Sequence, residues 1–130
     1  MTLSELESKD NETINKLIAE KVMGWESASG GPPHLSASDG NTYYFAGFIF
    51  RWEDDIGPTQ QQWNPCESDA DIRLVRAKLA ERGLQQAFAH ILQEIVRDPK
   101  SSLSYWWQLI DASPKAQCLA ALLAVEESNG

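Results

Sequence analysis

Apolar residues recur at spacings of three and four positions in several segments of this chain, which is typical of helices with one buried face. The first segment predicts a helix from about Glu12 to Met23, and Gly24 follows where a left-handed residue closes a helix. Further helices are predicted over Ser68–Arg82, Leu84–Arg97 and Ser113–Glu127. Ser68, with Asp71 three positions later, forms a capping pattern, and Pro114 follows Ser113 as proline does at a first helical position.

Two segments rich in aromatic residues predict strands. Thr42–Trp52 is apolar at both its odd and its even positions, so we expect a central strand covered on both faces, with Gly47 marking a bulge or a close approach of another backbone. Ser102–Ile110 also predicts a strand, with a short helix as the alternative. Trp106 and Trp107 would then point to opposite faces, and we expect at least one of them in the core.

The remaining segments lack periodicity and predict loops. They comprise a frayed or partly helical lead-in over 1–10, a long loop over 25–41 and a second loop over 53–67. A length of 130 residues predicts a single domain over 1–130.

Composition narrows the classes of protein. With 42% hydrophobic residues the chain is not disordered, and no run approaches the roughly 20 apolar residues of a membrane span. A net charge of −8 argues against direct binding of nucleic acid. The first residues do not form a secretory signal, so we expect a reducing cytoplasm, with Cys66 and Cys118 as free thiols.

The charge is uneven along the chain. From Glu53 to Asp71 there are six acidic residues and no basic one, whereas Ile72–Lys100 has six basic residues and three acidic ones. A local acidic surface attracts basic partners, although acidity also simply keeps a small protein soluble. The hypothesis is a partner-binding site for a protein with a basic surface, formed by Glu53, Asp54, Asp55, Trp63, Glu67 and Asp69.

The candidate chemical groups do not assemble into a recognisable catalytic set. The possible ligands His34, Cys66, His90 and Cys118 lack the spacing of a zinc site, so neither a metal nor a cofactor is predicted. Cys66 precedes a helix N-terminus, which favours a thiolate, but no partner for catalysis is identifiable. Glu53, Asp54 and Asp55 have the chemistry to hold a divalent ion, but adjacent acids in a loop are more often solvated. We therefore expect a protein that is not an enzyme.

Three blocks of the sequence carry a resemblance to a known family. They are Ile14–Trp25, then Trp63-Asn64-Pro65 with Ser68 and Asp69, and finally Ala112–Ala124. Together they resemble the phage ABA-sandwich domain family of small proteins from tailed phages and prophages. The resemblance implies an α+β fold, a three-layer α/β/α sandwich whose small, mostly antiparallel sheet is covered by helices on both faces. It transfers no site residues. The chain differs from the family pattern in its helical 84–97 segment and its enlarged 25–41 loop.

The function expected from these observations is that of a small acidic phage or prophage accessory protein. It would bind and modulate a host or phage protein in the bacterial cytoplasm, for example as a counter-defence inhibitor. Two alternatives remain open. One is a domain that binds a small ligand or nucleotide between the 25–41 loop and the Trp63 loop, and the other is a structural phage protein that self-associates as a homo-oligomer.

Overall fold

The structure, a computed structural model, describes residues 2–27, 42–45, 47–53 and 57–129. Helices and strands are both present, so the α+β class is confirmed. The helices are α1 (Leu3–Glu7), α2 (Asn11–Leu17), α3 (Asp69–Glu81), α4 (Gln85–Val96), α5 (Tyr105–Ile110) and α6 (Pro114–Asn129), and a π-helical turn (Ile18–Val22) continues α2. The strands are β1 (Glu26–Ser27), β2 (Thr42–Phe45), β3 (Phe48–Glu53) and β4 (Gly57–Gln62).

The lead-in over 1–10, predicted as frayed or partly helical, contains the short helix α1 (Leu3–Glu7). The Thr2 hydroxyl caps it by accepting a hydrogen bond from the Glu5 backbone N–H at 3.2 Å. Leu6 is fully buried in the main core. Burial of this one side chain fixes a segment whose composition alone indicates a mobile end.

The predicted Glu12–Met23 helix is confirmed in position, but its last turn is π-helical. The Asp10 carboxylate accepts a hydrogen bond from the Thr13 N–H at 2.9 Å and so caps α2. Gly24 has the predicted left-handed backbone, with φ of 74°. The Trp25 N–H then donates to the Ala19 carbonyl at 2.9 Å and closes the wide turn.

The sheet has four strands in the order β1-β2-β3-β4, with β1 parallel to β2 and the other two pairs antiparallel. The predicted single strand Thr42–Trp52 is therefore wrong, because a turn at Gly47 divides it into β2 and β3. Gly47 has φ of 84°, which a tight hairpin turn requires and which most L-residues avoid. The central position predicted for this segment is confirmed, since β2 and β3 are the inner strands.

Strand β4 lies within the predicted 53–67 loop, which is a correction to the sequence analysis. The segment Gly57–Gln62 carries a proline and three glutamines and has no alternation of apolar residues. Its strand conformation comes from pairing with β3, whose register aligns Phe48 with Gln62 and Glu53 with Gly57. Pairing of this kind is non-local and leaves no periodic signal in the segment itself.

Ser102–Ile110 is helical at α5 and not a strand, so the alternative that the sequence left open is the correct one. The Ser104 hydroxyl accepts a hydrogen bond from the Trp107 N–H at 3.2 Å and begins the helix. The cap and the contacts of α5 with α4 override the strand propensity of three consecutive aromatic and β-favouring positions.

Helix α6 lies at the centre of the helical part of the molecule. It contacts α1, α2, the π-helical turn, α3 and α4. The 118–125 segment of α6 is buried at every position except Leu123, which is half-buried. Ile49 and Trp63 join the same core from the sheet side.

Candidate functional site

The three most exposed large apolar side chains of the described residues lie on α5, where Trp106 is 74% exposed, Trp107 55% and Ile110 74%. Separations of three and four positions place these three on one side of the helix. Leu103, which is 44% exposed, lies just before the helix. We call these four residues the Trp106 surface. The prediction that at least one of the two tryptophans lies in the core is wrong.

The opposite side of α5 carries a polar anchor, Gln108, which is buried. Its side-chain Oε1 accepts a hydrogen bond from the Asp98 N–H at 2.7 Å. Its Nε2 donates to the Leu103 carbonyl at 2.9 Å and to the Asp98 carbonyl at 3.2 Å. Since an unsatisfied buried amide is costly, these bonds fix which side of α5 faces inward and leave the aromatic side in solvent.

The loop before α5 is held by short-range hydrogen bonds as well. Asp98 Oδ1 accepts from the Lys100 N–H at 3.0 Å, and the Ser101 hydroxyl accepts from the Leu103 N–H at 3.1 Å. These are the side-chain-to-backbone turns that aspartate and serine commonly form. These hydrogen bonds fix the segment that carries the Trp106 surface, so the surface is already ordered before a partner binds.

The size of the surface sets it apart from scattered exposed residues. Trp106, Trp107 and Ile110 are each more than half exposed on one helix of six residues. Leu74, at 48% exposed on α3, is a single exposed side chain of the kind that needs no explanation. Several large exposed apolar side chains on one short helix make a candidate interaction site.

The structure separates the acidic residues that the sequence analysis grouped. Glu53 lies at one end of the β3–β4 hairpin, beside Gly57, whereas Glu67 and Asp69 follow the other end. The six residues of β4 span about 20 Å at 3.3 Å each. Glu67 and Asp69 are exposed, while Asp54 and Asp55 lie outside the described residues. The acidic stretch is thus continuous in sequence, but its two ends are far apart.

Trp63, the aromatic member of the predicted binding set, lies in the core with only 2% of its surface exposed. Its indole N–H donates to the Asn15 carbonyl at 3.0 Å, and its ring meets that of Trp25 edge-on at a centroid distance of 4.6 Å. The indole is therefore not available to a partner, and its role is to join the sheet to α2.

A polar network beside Trp63 ties the loop before α3 to α2. The Asn15 amide accepts from the Cys66 N–H at 3.1 Å and donates to Asn64 Oδ1 at 2.9 Å. The Asn64 N–H donates to Asp71 Oδ2 at 2.8 Å, so Asp71 serves the loop while its own N–H is capped by Ser68. These bonds hold one wall of a cleft of about 400 Å³ whose lining includes Lys16, Phe48 and Gln62.

The two cysteines are free and buried next to each other. A hydrogen bond from the Cys118 thiol lowers the pKa of Cys66, although burial opposes this, and the positive charge of Lys115 lowers it further. The same hydrogen bond, with burial, raises the pKa of Cys118. The thiolate character predicted for Cys66 thus has a cause, but its sulfur is enclosed in the core and has no open approach.

A metal site and a membrane-spanning helix each require a recognisable arrangement of residues. Within 2–27, 42–45, 47–53 and 57–129, no three histidine, cysteine, aspartate or glutamate side chains are grouped so that they could hold an ion. No helix in that part of the chain is both long and apolar enough to cross a membrane. His90, one of the possible ligands in the sequence, is exposed on α4.

No family model, curated protein or solved structure matches this chain. A proposal for its function therefore depends on the geometry of this chain alone.

Sequence reasoning missed the Trp106 surface as a unit because it treated Trp106 and Trp107 as members of a strand. A usable signal was present: Ser104 is a good helix cap, and Leu103, Trp106, Trp107 and Ile110 have helical spacing. That signal identifies a helix with one apolar side. It does not show that this side faces solvent, since that depends on the hydrogen bonds of Gln108.

Proposed function

We propose that this chain is a non-enzymatic accessory protein that acts by binding another protein chain, and that the Trp106 surface is where the contact is made. The observation that carries the proposal is the exposure of two adjacent tryptophans and Ile110 on one side of a short helix, with exposed Leu103 just before it. Burying this surface is the favourable step of an association, at about 25 cal/mol per Å² before the costs of binding.

The residue types of the surface suit this role. Tryptophan is enriched among the residues that dominate binding energy, because its large ring has few rotatable bonds. The Gln108 anchor and the Ser104 cap order the segment before binding, which reduces the entropy lost on association. A solvent-exposed tryptophan without a partner would only cost the protein solubility.

The origin and partner follow from the resemblance and the charge. We infer a phage or prophage protein acting on a host or phage protein in the bacterial cytoplasm, and the three-layer arrangement of the family stays a prediction. The net charge of −8 favours approach to a basic partner, with Glu67 and Asp69 among the exposed acids that would contribute.

The test is co-purification from the cell that normally produces the chain. We compare the wild type with W106S/W107S, and with L74S as a control that removes one exposed apolar side chain elsewhere. We expect specific partners with the wild type and L74S, and their loss with W106S/W107S. Recovery of the same proteins by all three forms would refute a role for the Trp106 surface.

One observation favours a second candidate function, the binding of a small molecule. The cleft beside α2 lies next to the Trp63 loop and has the volume of a small-ligand pocket, with exposed Lys16 and Phe48 in its wall. A thermal-shift screen with nucleotides, sugars and divalent ions tests it. A concentration-dependent rise in melting temperature, reduced in K16A, would support the candidate, and a flat response would remove it.

A further inference from the structure

The two cysteines of the chain are both buried in one hydrophobic core. We propose that they are a site of reversible oxidation, at which a peroxide joins Cys66 to Cys118 by a disulfide bond. Cys66 lies in the segment between β4 and α3, residues 63–68, which we call the Cys66 loop, and Cys118 lies on α6. The site is separate from the Trp106 surface, so the proposal goes beyond protein binding and does not depend on it.

Several contacts hold the Cys66 side chain between α2 and α6. The Cys66 N–H donates to Asn15 Oδ1 at 3.1 Å, and the Cys66 sulfur lies 3.8 Å from the Asn11 carbonyl oxygen. Helix α6 packs against α2 and α3, and the Cys118 thiol donates a hydrogen bond to the Cys66 sulfur. Because a single rotatable bond carries each sulfur, small rotations bring the two sulfurs from this contact to the disulfide distance of about 2.05 Å.

The Cys66 loop shields both sulfurs, since Cys66 is only 4% exposed and Cys118 is fully buried. The other side of the loop is a wall of the cleft beside α2, where Asn64 and Glu67 line the cavity. Asn15 holds this wall in place through its bonds to the Cys66 N–H and to Asn64. Movement of the loop into the cleft therefore gives hydrogen peroxide access to Cys66, and such local opening costs less than unfolding the protein.

The two thiols have different roles, because the hydrogen bond between them has a direction. It lowers the pKa of Cys66, against the effect of burial, and the positive charge of Lys115 on α6 lowers it further. The same hydrogen bond raises the pKa of Cys118, so Cys118 keeps its proton while Cys66 is charged. Cys66 is thus the thiolate that attacks the peroxide, and Cys118 is the thiol that resolves the product.

The oxidation has two steps. The Cys66 thiolate attacks one oxygen of hydrogen peroxide, so that an S–O bond forms, the O–O bond breaks, and the departing hydroxide takes up a proton to become water. The Cys118 sulfur then attacks the sulfur of the sulfenic acid at Cys66. An S–S bond forms, the S–O bond breaks, and the hydroxyl group leaves with the Cys118 proton as a second water. The peroxide gains two electrons, which the two thiols together lose.

The disulfide ties the Cys66 loop to the central helix of the molecule. It closes a segment of chain that contains α3, α4 and α5, and a cross-link across so long a segment strongly restricts the unfolded chain. We expect the oxidised protein to melt about 10 °C above the reduced protein. The bond also fixes one wall of the cleft beside α2, which stays movable in the reduced protein.

The first experiment detects the bond directly. The reduced full chain is treated with about 1 mM hydrogen peroxide at neutral pH, its remaining thiols are blocked with N-ethylmaleimide in urea, and a tryptic digest is analysed by mass spectrometry. We expect one joined pair of peptides, 52–73 with 116–130, which dithiothreitol separates. Untreated protein should carry two blocked thiols instead. Absence of the joined pair after treatment, or its presence only in covalent dimers, overturns the proposal.

Serine variants test the roles of the two thiols. In C118S, Cys66 should form a sulfenic acid that dimedone traps, because no second thiol is present to resolve it. In C66S, Cys118 should stay unmodified under the same conditions, because it is fully buried on α6. Trapping at Cys118 in C66S, with none at Cys66 in C118S, would reverse the assigned roles and refute Cys66 as the attacking thiolate. The wild-type experiment decides whether the bond forms, whichever of these variants folds.

The route and the effect of the bond are tested by rates and by melting. N15A removes the bonds that hold the Cys66 loop, so disulfide formation should be about tenfold faster than in the wild type. Q108A loosens α5 and not this loop, so it should react at the wild-type rate. An unchanged rate in N15A, or equal acceleration in both variants, rules out opening of the Cys66 loop as the route. A melting temperature that does not rise on oxidation of the wild type contradicts the stabilising effect.

Discussion

At the scale of single residues, buried amides decide how this protein is organised. Asn15 joins α2 to the loop that precedes α3, and Gln108 joins α5 to the loop that precedes it. Both side chains satisfy backbone groups that would otherwise be unpaired and shielded from water. Neither residue carries a signal in the sequence, because a buried and an exposed glutamine or asparagine look alike until the fold is known.

Asn15 gives the first stability prediction. N15A removes the acceptor of the buried Cys66 N–H and the bond to Asn64, so we expect a loss of about 2–3 kcal/mol in the free energy of unfolding. Urea denaturation measures it. N11A serves as the control, since the side chain of Asn11 donates an exposed hydrogen bond of 3.3 Å to Glu67 and its removal should cost less than about 0.5 kcal/mol. Equal losses in the two variants would show that the Asn15 network does not hold the loop.

Asp10 gives a prediction for the dependence of stability on pH. Hydrogen bonds from the Thr13 side chain and backbone hold the pKa of Asp10 below its ordinary value. The charged carboxylate therefore stabilises the folded chain at neutral pH, and this contribution is lost as the pH falls below about 4 and through the lowered pKa. D10N keeps a cap but has no charge, so the wild type should be more stable than D10N at pH 7, and this advantage should shrink at an acidic pH below the lowered pKa of Asp10. Urea titrations at both pH values test this, and a difference that does not depend on pH would contradict it.

At the scale of elements, the sequence predicted the helices that are fixed locally. Ser68 and Asp10 cap α3 and α2, and the helical period extends through both segments, so their positions follow from neighbouring residues. The sheet was predicted less well. Strand β4 forms because it pairs with β3. Gly47 separates β2 from β3 because the chain reverses direction there and the two strands pair antiparallel. Such non-local pairing is not encoded in any short window.

Helix α5 shows the same limit for the candidate site. Its aromatic residues favour a strand when taken one by one. The sequence analysis placed the partner contact at Trp63 and the acidic residues, and it expected at least one of Trp106 and Trp107 in the core. The anchor that turns Trp106 outward is a set of contacts across a loop, which only the structure displays.

Gln108 gives a prediction at the level of this element. Q108A leaves the Asp98 N–H and the Leu103 carbonyl without partners, so the loop and α5 should open more often. Hydrogen exchange should speed up for the Asp98 amide and for the amides of α5 by roughly tenfold or more, the equivalent of about 1.4 kcal/mol. Q86A, at an exposed position of α4, should leave those amides unchanged. Unchanged exchange in Q108A would mean that Gln108 is not the anchor of α5.

At the scale of the whole molecule, large apolar side chains occur both in a buried core and on an exposed surface. The core around α6 is covered by helices on several sides and by residues of the sheet, whereas the Trp106 surface is left in water. Trp63 is buried in the core, whereas Trp106 and Trp107 are exposed on α5. Exposed aromatic side chains of this kind often mark an interaction site. Binding of another chain is that use in the present account.

The most direct measurement places a photo-crosslinking residue, benzoylphenylalanine, at position 107 or at position 74 and irradiates the cells that normally produce the chain. Trp107 and Leu74 are 55% and 48% exposed, so the two probes have similar access to solvent. We expect a discrete covalent adduct from position 107 and none from position 74, with mass spectrometry showing whether the attached chain is a second copy or a different protein. No adduct from position 107, or the same adducts from both positions, would contradict the assignment of the Trp106 surface as a protein interface.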